Sequence, residues 1–388
     1  MRQNRFALAF VITLALFATP TAFAADKSTA HKYRAYVGTY TSGESKGIYA
    51  YDYDPRTGKM TSIGLAAETV NPSFVAATPD GRFLYAVNEL NKYEGKPSGG
   101  VSAFSVDAKT GKLTFLNEVP SRGADPCYLS FDKTGKFVLV ANYTGGSVAV
   151  FPILPDGRLG DASSVVQHAG SGPNHEHQEG PHAHWIEVTS DNRFAVAADL
   201  GLDELLVYHF DAAKGVLWPN DPGFAKVEPG AGPRHFAFHP NGKFGYVVDE
   251  LKSTVNTLTF DAKNGVLKSV QTISTLPANY SGNNDTAELE IHPNGKFIYA
   301  SNRGHDSIMV YAVNAKTGTL KLVEDVSTQG KTPRNFVIDP TGSRLFVANE
   351  ESGNIVVFNL NPRTGHLTPI GEVVKVPNPV CIKFVATE

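Results

Sequence analysis

The chain has 388 residues, enough for one large domain or two, and carries a formal net charge of −3. Only 19% of the residues are charged and no basic run occurs, which argues against a nucleic-acid-binding protein. Its 36 glycines and 24 prolines favour many short strands joined by tight turns.

The first predicted element is a secretory signal peptide at residues 1–24. Arg2 and Arg5 carry positive charge, residues 6–17 are almost entirely apolar, and residues 22–24 form a small-residue cleavage site. The apolar run is too short to span a bilayer, and no later segment is apolar enough. We therefore expect a periplasmic or secreted protein with a single domain at residues 25–388.

A phrase at residues 72–88 recurs along the rest of the chain. The copies lie 47–57 residues apart and end at Gly38, Asn88, Asn142, Asp199, Asp249, Asn302 and Asn349. A second series, of tight glycine turns, falls at Gly58, Gly111, Gly157, Gly215, Gly265, Gly318 and Gly365. Two separate signals with the same count predict seven repeated units.

Each unit contains four short runs rich in Val, Ile, Phe, Tyr and Leu, which is typical of a propeller blade. The run Pro379–Phe384 is the first half of a copy, and residues 33–38 are the second half of another. We expect these two segments to pair, which completes blade 1 and removes the open sheet edge. The predicted fold is an all-β, seven-bladed β-propeller; a β-sandwich gives no reason for seven repeats.

The connections between strands predict which end of the central channel carries function. With strands labelled A to D from the channel outward, the A–B and C–D turns are short and share one face, here called the turn face. The B–C and D–A connections share the opposite loop face and include the long segments 90–99, 161–181 and 276–285. Because binding residues favour variable loops on a rigid scaffold, we predict the site at the loop face.

Polar residues at the start of strand A and the end of strand B should point into this mouth. Candidates at these positions are His182, His184, Arg234, His235, Glu250, Glu288, Asn302, Arg303, Arg334 and Asn335. Blades 1 to 3 carry Ser73, Glu89, Cys127, Tyr143 and Cys381 at the equivalent positions. The ionisable groups concentrate in blades 4 to 7, and blade formation requires none of them, so they define the candidate site.

Simpler structural interpretations remain for several of these positions. The Asn or Asp that ends each strand B can be a turn former that bonds local backbone. Glu250 and Glu350 can be ordinary ion-pair partners of Arg234 and Arg334. We also expect Cys127 and Cys381, in non-adjacent blades, to be free buried thiols.

Histidines outside the mouth are interpreted as structural. His239 and His292, beside A–B turns, are predicted to be surface residues, and His209 a packing residue. Segment 167–184 holds five histidines, but it has neither HExxH nor zinc-finger spacing and no nearby cysteine. We therefore predict no metal site there and no cofactor, while a metal-dependent enzyme remains the alternative.

Six motifs in blades 4 to 7 belong together: Gly180-Pro-His-Ala-His184, Gly232-Pro-Arg-His235, Asp249-Glu-Leu251, Glu288, Ser301-Asn-Arg-Gly304 and Pro333-Arg-Asn335. Combined, they resemble the propeller lactonase family, which includes bacterial 6-phosphogluconolactonases and shares its fold with fungal muconate-lactonising enzymes. The resemblance covers nearly the whole mature chain and is strongest over residues 180–350. It implies a His, two Arg and a Glu as active residues, here His182 or His184, Arg234, Glu250 and Arg303.

The implied reaction is water-mediated opening of a lactone without a cofactor. A histidine suits the general base near neutral pH, although a Glu beside it is an alternative. Arg234 and Arg303 can stabilise the oxyanion or hold an anionic group, and Glu250 can orient them. His235, Glu288, Asn302, Arg334 and Asn335 are then substrate-binding residues. No GxSxG elbow indicates a serine nucleophile.

The predicted export signal argues against a phosphorylated substrate, because the family members that act in sugar-phosphate metabolism are cytosolic. A phosphate-free gluconolactone or another extracytoplasmic lactone therefore becomes an alternative substrate. A lactonising or isomerising enzyme of the muconate type and a non-catalytic ligand-binding propeller also remain open. The expected partner is a small lactone or sugar acid, and we expect a monomer because a closed ring needs no partner chain.

Overall fold

The computed structural model describes Met1 and residues 32–387. The chain divides into one unit of residues 1–31 and another of residues 32–388, and all the described strands belong to the second. The predicted signal peptide, beyond Met1, lies outside the described residues. Within the described part of the chain, no helix is long and apolar enough to cross a membrane.

Within residues 32–387, twenty-eight strands form seven four-stranded antiparallel sheets. In chain order they are β1 (Lys32–Thr39), β2 (Gly47–Asp54), β3 (Lys59–Glu68), β4 (Val75–Ala77), β5 (Phe83–Asn88), β6 (Gly100–Val106), β7 (Leu113–Pro120), β8 (Pro126–Phe131), β9 (Phe137–Asn142), β10 (Ser147–Pro152), β11 (Ser164–Gln167), β12 (Ala183–Val188), β13 (Phe194–Asp199), β14 (Glu204–Asp211), β15 (Val216–Lys226), β16 (Pro233–Phe238), β17 (Phe244–Asp249), β18 (Thr254–Asp261), β19 (Val266–Ser274), β20 (Asp285–Ile291), β21 (Phe297–Arg303), β22 (Ser307–Val313), β23 (Leu320–Ser327), β24 (Pro333–Ile338), β25 (Arg344–Asn349), β26 (Asn354–Leu360), β27 (Leu367–Lys375) and β28 (Pro379–Thr387).

The sheets are the blades of a closed ring. Blade 1 has the strand order β28-β1-β2-β3. Each of blades 2 to 7 consists of four consecutive strands, from β4–β7 in blade 2 to β24–β27 in blade 7. The innermost strand of each blade contacts that of the next, and β28 contacts β4 to complete the circle. β1 pairs antiparallel with β28, with Tyr33 opposite Ala386 and Val37 opposite Ile382. The predicted seven-bladed propeller and its closure by the two terminal strands are confirmed.

The hydrophobic core lies between neighbouring blades. Every residue of β9, β13 and β17 is buried, because strand B is covered on both sides by the adjacent sheets. Val148 of blade 3 and Ile186 of blade 4 meet in one cluster, both fully buried. Burial of one such side chain contributes about 1.5–3 kcal/mol, so the blades stabilise one another.

Tyrosines on strand B fasten four blades to their successors. The hydroxyls of Tyr36, Tyr85, Tyr246 and Tyr299 donate to the carbonyls of Gly111, Gly157, Gly318 and Gly365 at 2.8–3.2 Å. These glycines form the C–D turns and have positive φ. At Gly157 a Cβ atom would lie 2.1 Å from the Phe83 ring of the preceding blade. Glycine is therefore required both by the turn and by the close approach of the blades.

His239 and His292 are buried, so their prediction as surface residues is wrong. Their Nε2 atoms lie 2.8 and 2.9 Å from the carbonyls of Gly295 and Gly342 in the next blade. In each ring Nδ1 accepts from the backbone N–H two residues on, so Nε2–H is the donor and the ring is neutral. Each histidine thus joins neighbouring A–B turns. His209, predicted to pack, is half-buried and stacks on Trp218 with ring centroids 5.2 Å apart.

The asparagines that end strand B bond backbone, but not in their own turn. Asn88, Asn142, Asn302 and Asn349 donate to carbonyls of residues that follow strand D of the preceding blade. The local backbone bond predicted at these positions is therefore wrong for the asparagines, which link blades. It is confirmed for Asp199, whose Oδ1 accepts from the Gly201 amide at 3.0 Å. Cys127 and Cys381 are free and buried, as predicted.

Candidate active site

The loop-face mouth of the channel leads into a pocket built by several blades. A cavity of about 200 Å³ is lined by Glu89, Cys127, Tyr143, His184, Glu250, Arg303 and Arg334. An adjoining recess of about 10 Å³ is lined by residues that include Ser73, Arg234, His235, Glu288 and Asn335. Because both spaces share Glu89, Cys127 and Arg334, we treat them as one loop-face pocket.

Glu250, at the end of strand B in blade 5, holds two guanidinium groups. Its Oε2 lies 2.8 Å from Arg234 Nε, and its Oε1 lies 3.1 Å from Arg303 Nη2. Arg234 Nη1 also donates to Ala287 O at 2.5 Å, and Arg303 Nη2 to Thr286 O at 2.9 Å. One carboxylate and the backbone of β20 therefore fix both guanidiniums in place.

The charges of this trio are set by burial and by one another. Burial raises the pKa of Glu250, but the Arg303 and Arg234 guanidiniums outweigh it and hold that pKa below its usual value. Burial and the Arg303 charge lower the pKa of Arg234 to about 10. At neutral pH the site therefore contains an anionic Glu250 and a cationic Arg234.

Arg334 is held differently, without a carboxylate partner. Its Nη2 donates to the Tyr40 hydroxyl at 2.7 Å, and its guanidinium lies 5.2 Å from the centroid of the same ring. Tyr40 in turn donates to Glu89 Oε1 at 2.8 Å. Within residues 32–387 no ion pair forms at Arg334, so the alternative pairing with Glu350 is not found. Burial raises the pKa of Glu89 despite the nearby Arg334 charge.

His184 presents a neutral imidazole to the cavity. Burial and the nearby Arg234 and His235 charges lower its pKa well below the usual value. Its Nδ1 lies 3.7 Å from Cys127 Sγ. Burial also raises the pKa of Cys127 well above its usual value, so the sulfur stays a thiol at neutral pH. An imidazole in this state can accept a proton from a water molecule in the cavity.

His182, the other histidine of the motif, lies behind the cavity wall. Its ring stacks on Tyr143 at a centroid distance of 4.6 Å, and its Nδ1 lies 3.1 Å from the Tyr143 carbonyl. Its Nε2 lies 3.3 Å from Glu179 Oε1. His182 does not line the cavity that His184 lines, so its contacts place Tyr143 instead.

His235, Glu288 and Asn335 form a connected polar group in the recess. His235 Nδ1 lies 2.8 Å from Glu288 Oε1, and Asn335 Nδ2 donates to Glu288 Oε2 at 2.5 Å. Asn335 Oδ1 accepts from the Ile382 amide at 2.9 Å, which ties the group to the closing strand. Burial raises the pKa of Glu288, but His235 outweighs it, so the pKa lies below its usual value.

The pocket gathers polar atoms that the protein itself does not satisfy. Ten buried side-chain N or O atoms of the described residues have no hydrogen-bond partner in the protein. Five of them surround this pocket: Ser73 Oγ, Glu89 Oε2, Arg234 Nε, His235 Nε2 and Arg303 Nε. Arg234 Nε lies at ion-pair distance from Glu250, but its N–H is not aligned for a hydrogen bond. Because buried polar groups are normally paired, this concentration marks a place for a polar ligand.

The structure brings most of the predicted site residues together. His184, Arg234, Glu250, Arg303 and Arg334 surround the pocket, and His235, Glu288 and Asn335 form its recess. Asn302 does not line it. The Asn302 side chain is fully buried and bonds Thr275, Ser307 and Asn284, so its position in the sequence repeat was misleading.

Three pocket residues in blades 2 and 3 were not selected from the sequence, namely Glu89, Cys127 and Tyr143. Tyr40 of blade 1, which bonds Glu89 and Arg334, was not selected either. Glu89 and Tyr143 each follow the last residue of strand B, as Glu250 does in blade 5, and Arg303 is the last residue of strand B in blade 6. Reading the same repeat position in every blade, rather than only where charges cluster, would have found these two.

The His-rich segment is divided between structural and exposed residues. His168 is buried, with Nδ1 2.6 Å from Asp199 Oδ2 and Nε2 2.9 Å from the Tyr208 hydroxyl oxygen. His175 and His177 are exposed. Over residues 32–387 no group of three or more His, Cys, Asp or Glu side chains is placed to hold a metal ion.

Comparison with known proteins places the chain in a family. A family profile described as "Lactonase, 7-bladed beta-propeller" matches residues 34–384. The 6-phosphogluconolactonase of Bacillus subtilis is 43% identical over 353 residues, which cover 91% of this chain and 98% of that protein. The 6-phosphogluconolactonase of Formosa agariphila is 34% identical over 78% of this chain and 86% of that protein.

A solved structure agrees with these sequence matches. The periplasmic gluconolactonase of Pseudomonas aeruginosa superposes with a TM-score of 0.86 at 33% identity, over 92% of this chain and 100% of that chain. The family predicted from the motifs is thus confirmed, and the three relatives described here carry the names of lactonases. The chain belongs to the lactonase family of seven-bladed β-propellers.

Proposed function

We propose that the protein is an extracytoplasmic lactone hydrolase that opens a sugar lactone by water attack in the loop-face pocket. The observation that carries the proposal is that guanidinium, carboxylate and imidazole groups together line one cavity of about 200 Å³, namely those of Arg303, Arg334, Glu89, Glu250 and His184. The named activities of the Bacillus and Pseudomonas relatives support it. The signal-like first 24 residues support action outside the cytoplasm.

In this proposal His184 is the general base. As a water oxygen attacks the lactone carbonyl, the neutral imidazole accepts its proton. The lowered pKa of His184 keeps the ring unprotonated at neutral pH and below. When the ring oxygen leaves and takes up a proton, the product is the open hydroxy acid. Glu89, whose pKa is raised by burial, is the alternative base in the same cavity.

Arg234 and Arg303 stabilise the oxyanion that forms during the attack. Both guanidiniums are protonated in the proposal and are held in fixed orientations by Glu250, so little reorganisation is needed when charge develops. Arg303 lines the cavity directly, and Arg234 lines the adjoining recess, so both guanidiniums lie next to the space in which the substrate would bind.

Arg334 binds the polar substituent of the lactone or the new carboxylate. It is the one pocket arginine in the described chain without a carboxylate ion-pair partner, since Glu250 neutralises the other two. Its strength as an anion ligand suits a phosphorylated lactone, whereas the periplasmic relative and the export signal favour a phosphate-free one.

The direct test measures acid release in a pH-stat from glucono-δ-lactone and from 6-phosphoglucono-δ-lactone. We expect at least one to open much faster than its spontaneous rate, and Arg234→Ala to abolish that acceleration at unchanged fold. Arg82→Ala, which removes an exposed arginine at a turn-face hairpin, is the matched control. Product analysis by NMR distinguishes hydrolysis from ring closure or isomerisation.

A negative result has a defined meaning. If neither lactone nor a wider lactone panel opens faster than spontaneously, while a sugar acid raises the melting temperature, the protein is a binding module rather than a hydrolase. Unchanged turnover in Arg234→Ala would remove the assigned role of the arginine pair.

A further inference from the structure

The turn-face end of the same channel contains a second cavity, of about 500 Å³. We call it the turn-face cavity. Its walls come from strand A of several blades and from the A–B turns of blades 4 and 5. The volume lies in the range of small-molecule sites, and the lactone chemistry proposed above makes no use of it.

A layer of rings and one carboxylate separates the two spaces. Phe74 packs on Tyr128 at a centroid distance of 4.4 Å, and the His235 ring lies 5.2 Å from Tyr128 and 6.2 Å from Phe74. Phe74 and Glu288 line both the loop-face recess and the turn-face cavity. The turn-face cavity is therefore a separate space and not the floor of the active site.

Most charged groups of the turn-face cavity are already paired. Glu187 Oε1 lies 3.0 Å from Lys133 Nζ, and Asp191 Oδ2 lies 2.7 Å from Arg193 Nε. Glu288 is held by the recess residues described above. These groups need no ligand to satisfy their charge, so they do not define what the cavity binds.

Lys383 is the exception. It lies on the closing strand β28, half-buried, with its ammonium 5.2 Å from the centroid of the Phe74 ring. Among the residues that the structure describes, no ion pair or hydrogen bond satisfies its three N–H donors. A half-buried ammonium with free donors favours an acceptor from outside the protein.

Glu290 provides a second polar group in the same cavity. Its Oε2 accepts from the Ile338 amide at 2.8 Å, and its other oxygen has no hydrogen-bond partner among residues 32–387. Burial raises the pKa of Glu290 to about 8, against the lowering effect of Lys383. At neutral pH the carboxyl is therefore mostly protonated and can donate a hydrogen bond.

A series of aromatic residues also lines the cavity. Ring contacts run from Tyr128 to Trp185, Phe236, Phe238 and Phe260, with centroid distances of 4.8–5.8 Å between successive rings. Tyr128 and Phe238 are half-buried, so their rings present apolar surface to the cavity. A ligand that fills this space gains from burying an apolar body there.

We propose that the turn-face cavity is a second ligand site, which binds a small organic carboxylate with an aromatic or apolar body. The ligand carboxylate pairs with the Lys383 ammonium and accepts a hydrogen bond from Glu290. The apolar part of the ligand packs on the wall formed by Tyr128 and Phe238. A cationic ligand is disfavoured by Lys383. A sugar phosphate leaves the aromatic wall unused, and its second charge meets the carboxylates of Glu187 and Glu288.

The test uses benzoate as the probe and Trp185 as the reporter. The chain has two tryptophans, and Trp218→Phe removes the exposed one, so the remaining fluorescence comes from Trp185 in the cavity wall. We expect saturable changes with benzoate and much weaker ones with benzyl alcohol and benzylammonium. Lys383→Met should weaken benzoate about tenfold or more, whereas Glu290→Gln, which still donates, should retain it.

Two further variants decide where benzoate binds. Arg334→Ala should leave benzoate affinity unchanged, and so should Lys375→Met, which removes an exposed lysine of blade 7 as the matched control. Loss of binding in Arg334→Ala with retention in Lys383→Met would place benzoate in the loop-face pocket and overturn the proposal. No saturable binding of benzoate, phenylacetate or hexanoate would also overturn it.

A folding control keeps the test decisive. Far-UV circular dichroism checks each variant, and Phe238→Ala tests the aromatic wall with Lys383 in place. If Lys383→Met does not fold, Phe238→Ala must still weaken benzoate several-fold; unchanged affinity there would overturn the proposal. These results do not depend on hydrolysis, so failure of the lactone assay and failure of this inference are separate outcomes.

Discussion

The cavities at the two ends of the channel are lined by the same inner strands, but their charged groups are arranged and paired differently. β20 contributes Glu288 to the loop-face pocket and, two residues later, Glu290 to the turn-face cavity. At the loop face, guanidinium, carboxylate and imidazole groups stand close together with free polar atoms between them. At the turn face, most charges are paired and the wall is aromatic. The loop-face arrangement suits stabilisation of a charge that develops during a reaction, whereas the turn-face arrangement suits binding.

Glu250→Gln should produce the largest effect at the loop face. The amide weakens the hold on Arg234 and Arg303 together, and loss of a preorganised oxyanion donor lowers kcat by roughly 10²–10³-fold. Steady-state kinetics on the accepted lactone measures the effect. A double variant with Arg234→Ala should add little to the loss, because the residues act as one unit. If the losses in kcat of the two single variants added fully in the double variant, Glu250 would act independently of the arginines.

Arg334→Ala should alter substrate choice more than turnover. Removing a charge-assisted bond costs about 1.5–3 kcal/mol, which corresponds to roughly 10–100-fold in kcat/KM for an anionic lactone. The phosphate-free lactone should lose less, so the ratio of the two kcat/KM values reports the role. Arg363→Ala, at the exposed C–D turn of blade 7, is the control. An equal loss for both lactones would assign Arg334 to the reaction centre instead.

The acid limb of the pH profile should identify the base. Because the pKa of His184 is lowered well below its usual value, kcat/KM should persist as pH falls through about 6.5 and decline only at lower pH, where the imidazole gains its proton. Initial rates corrected for spontaneous opening provide the profile. Loss of activity already near pH 7 would contradict the assignment of His184 as the base.

Glu290→Gln should have the smallest effect, on stability alone. The folded-state pKa of Glu290 is raised to about 8, so the carboxyl stabilises the fold below its unfolded-state pKa and loses that contribution as pH rises through about 8. The glutamine does not ionise. The melting temperature of the variant should therefore rise relative to that of the wild type between about pH 4.5 and pH 8, and the difference should level off above pH 8. Parallel melting curves at all pH values would contradict this account.

The repeat determined what the sequence could predict. Strand period, turn glycines and the split copy each follow from local chemistry, so the seven blades and the pairing of β1 with β28 were available from spacing alone. The loop-face residues of blades 4 to 6 were available because ionisable side chains at a repeated position are unusual. This pattern singled out four residues that line the loop-face pocket in the structure: His184, Arg234, Glu250 and Arg303.

Contacts between blades could not be predicted, because they join segments about 50–75 residues apart whose register depends on packing. His239 looked like a turn residue, yet its partner is a carbonyl of the next blade. Asn302 looked like a site residue, yet its side chain closes a link to blade 5. The pairing Arg334–Tyr40–Glu89 joins blades 7, 1 and 2, which only ring closure brings together.

The closing strand has a consequence for biosynthesis. β28 is the last of the described strands to be translated, yet it forms the inner wall of blade 1 and contributes Val380 to one pocket and Lys383 to the other. A nascent chain that stops before Pro379 can stack six blades but cannot finish either binding space. A chain without β28 therefore lacks part of the lining of both spaces.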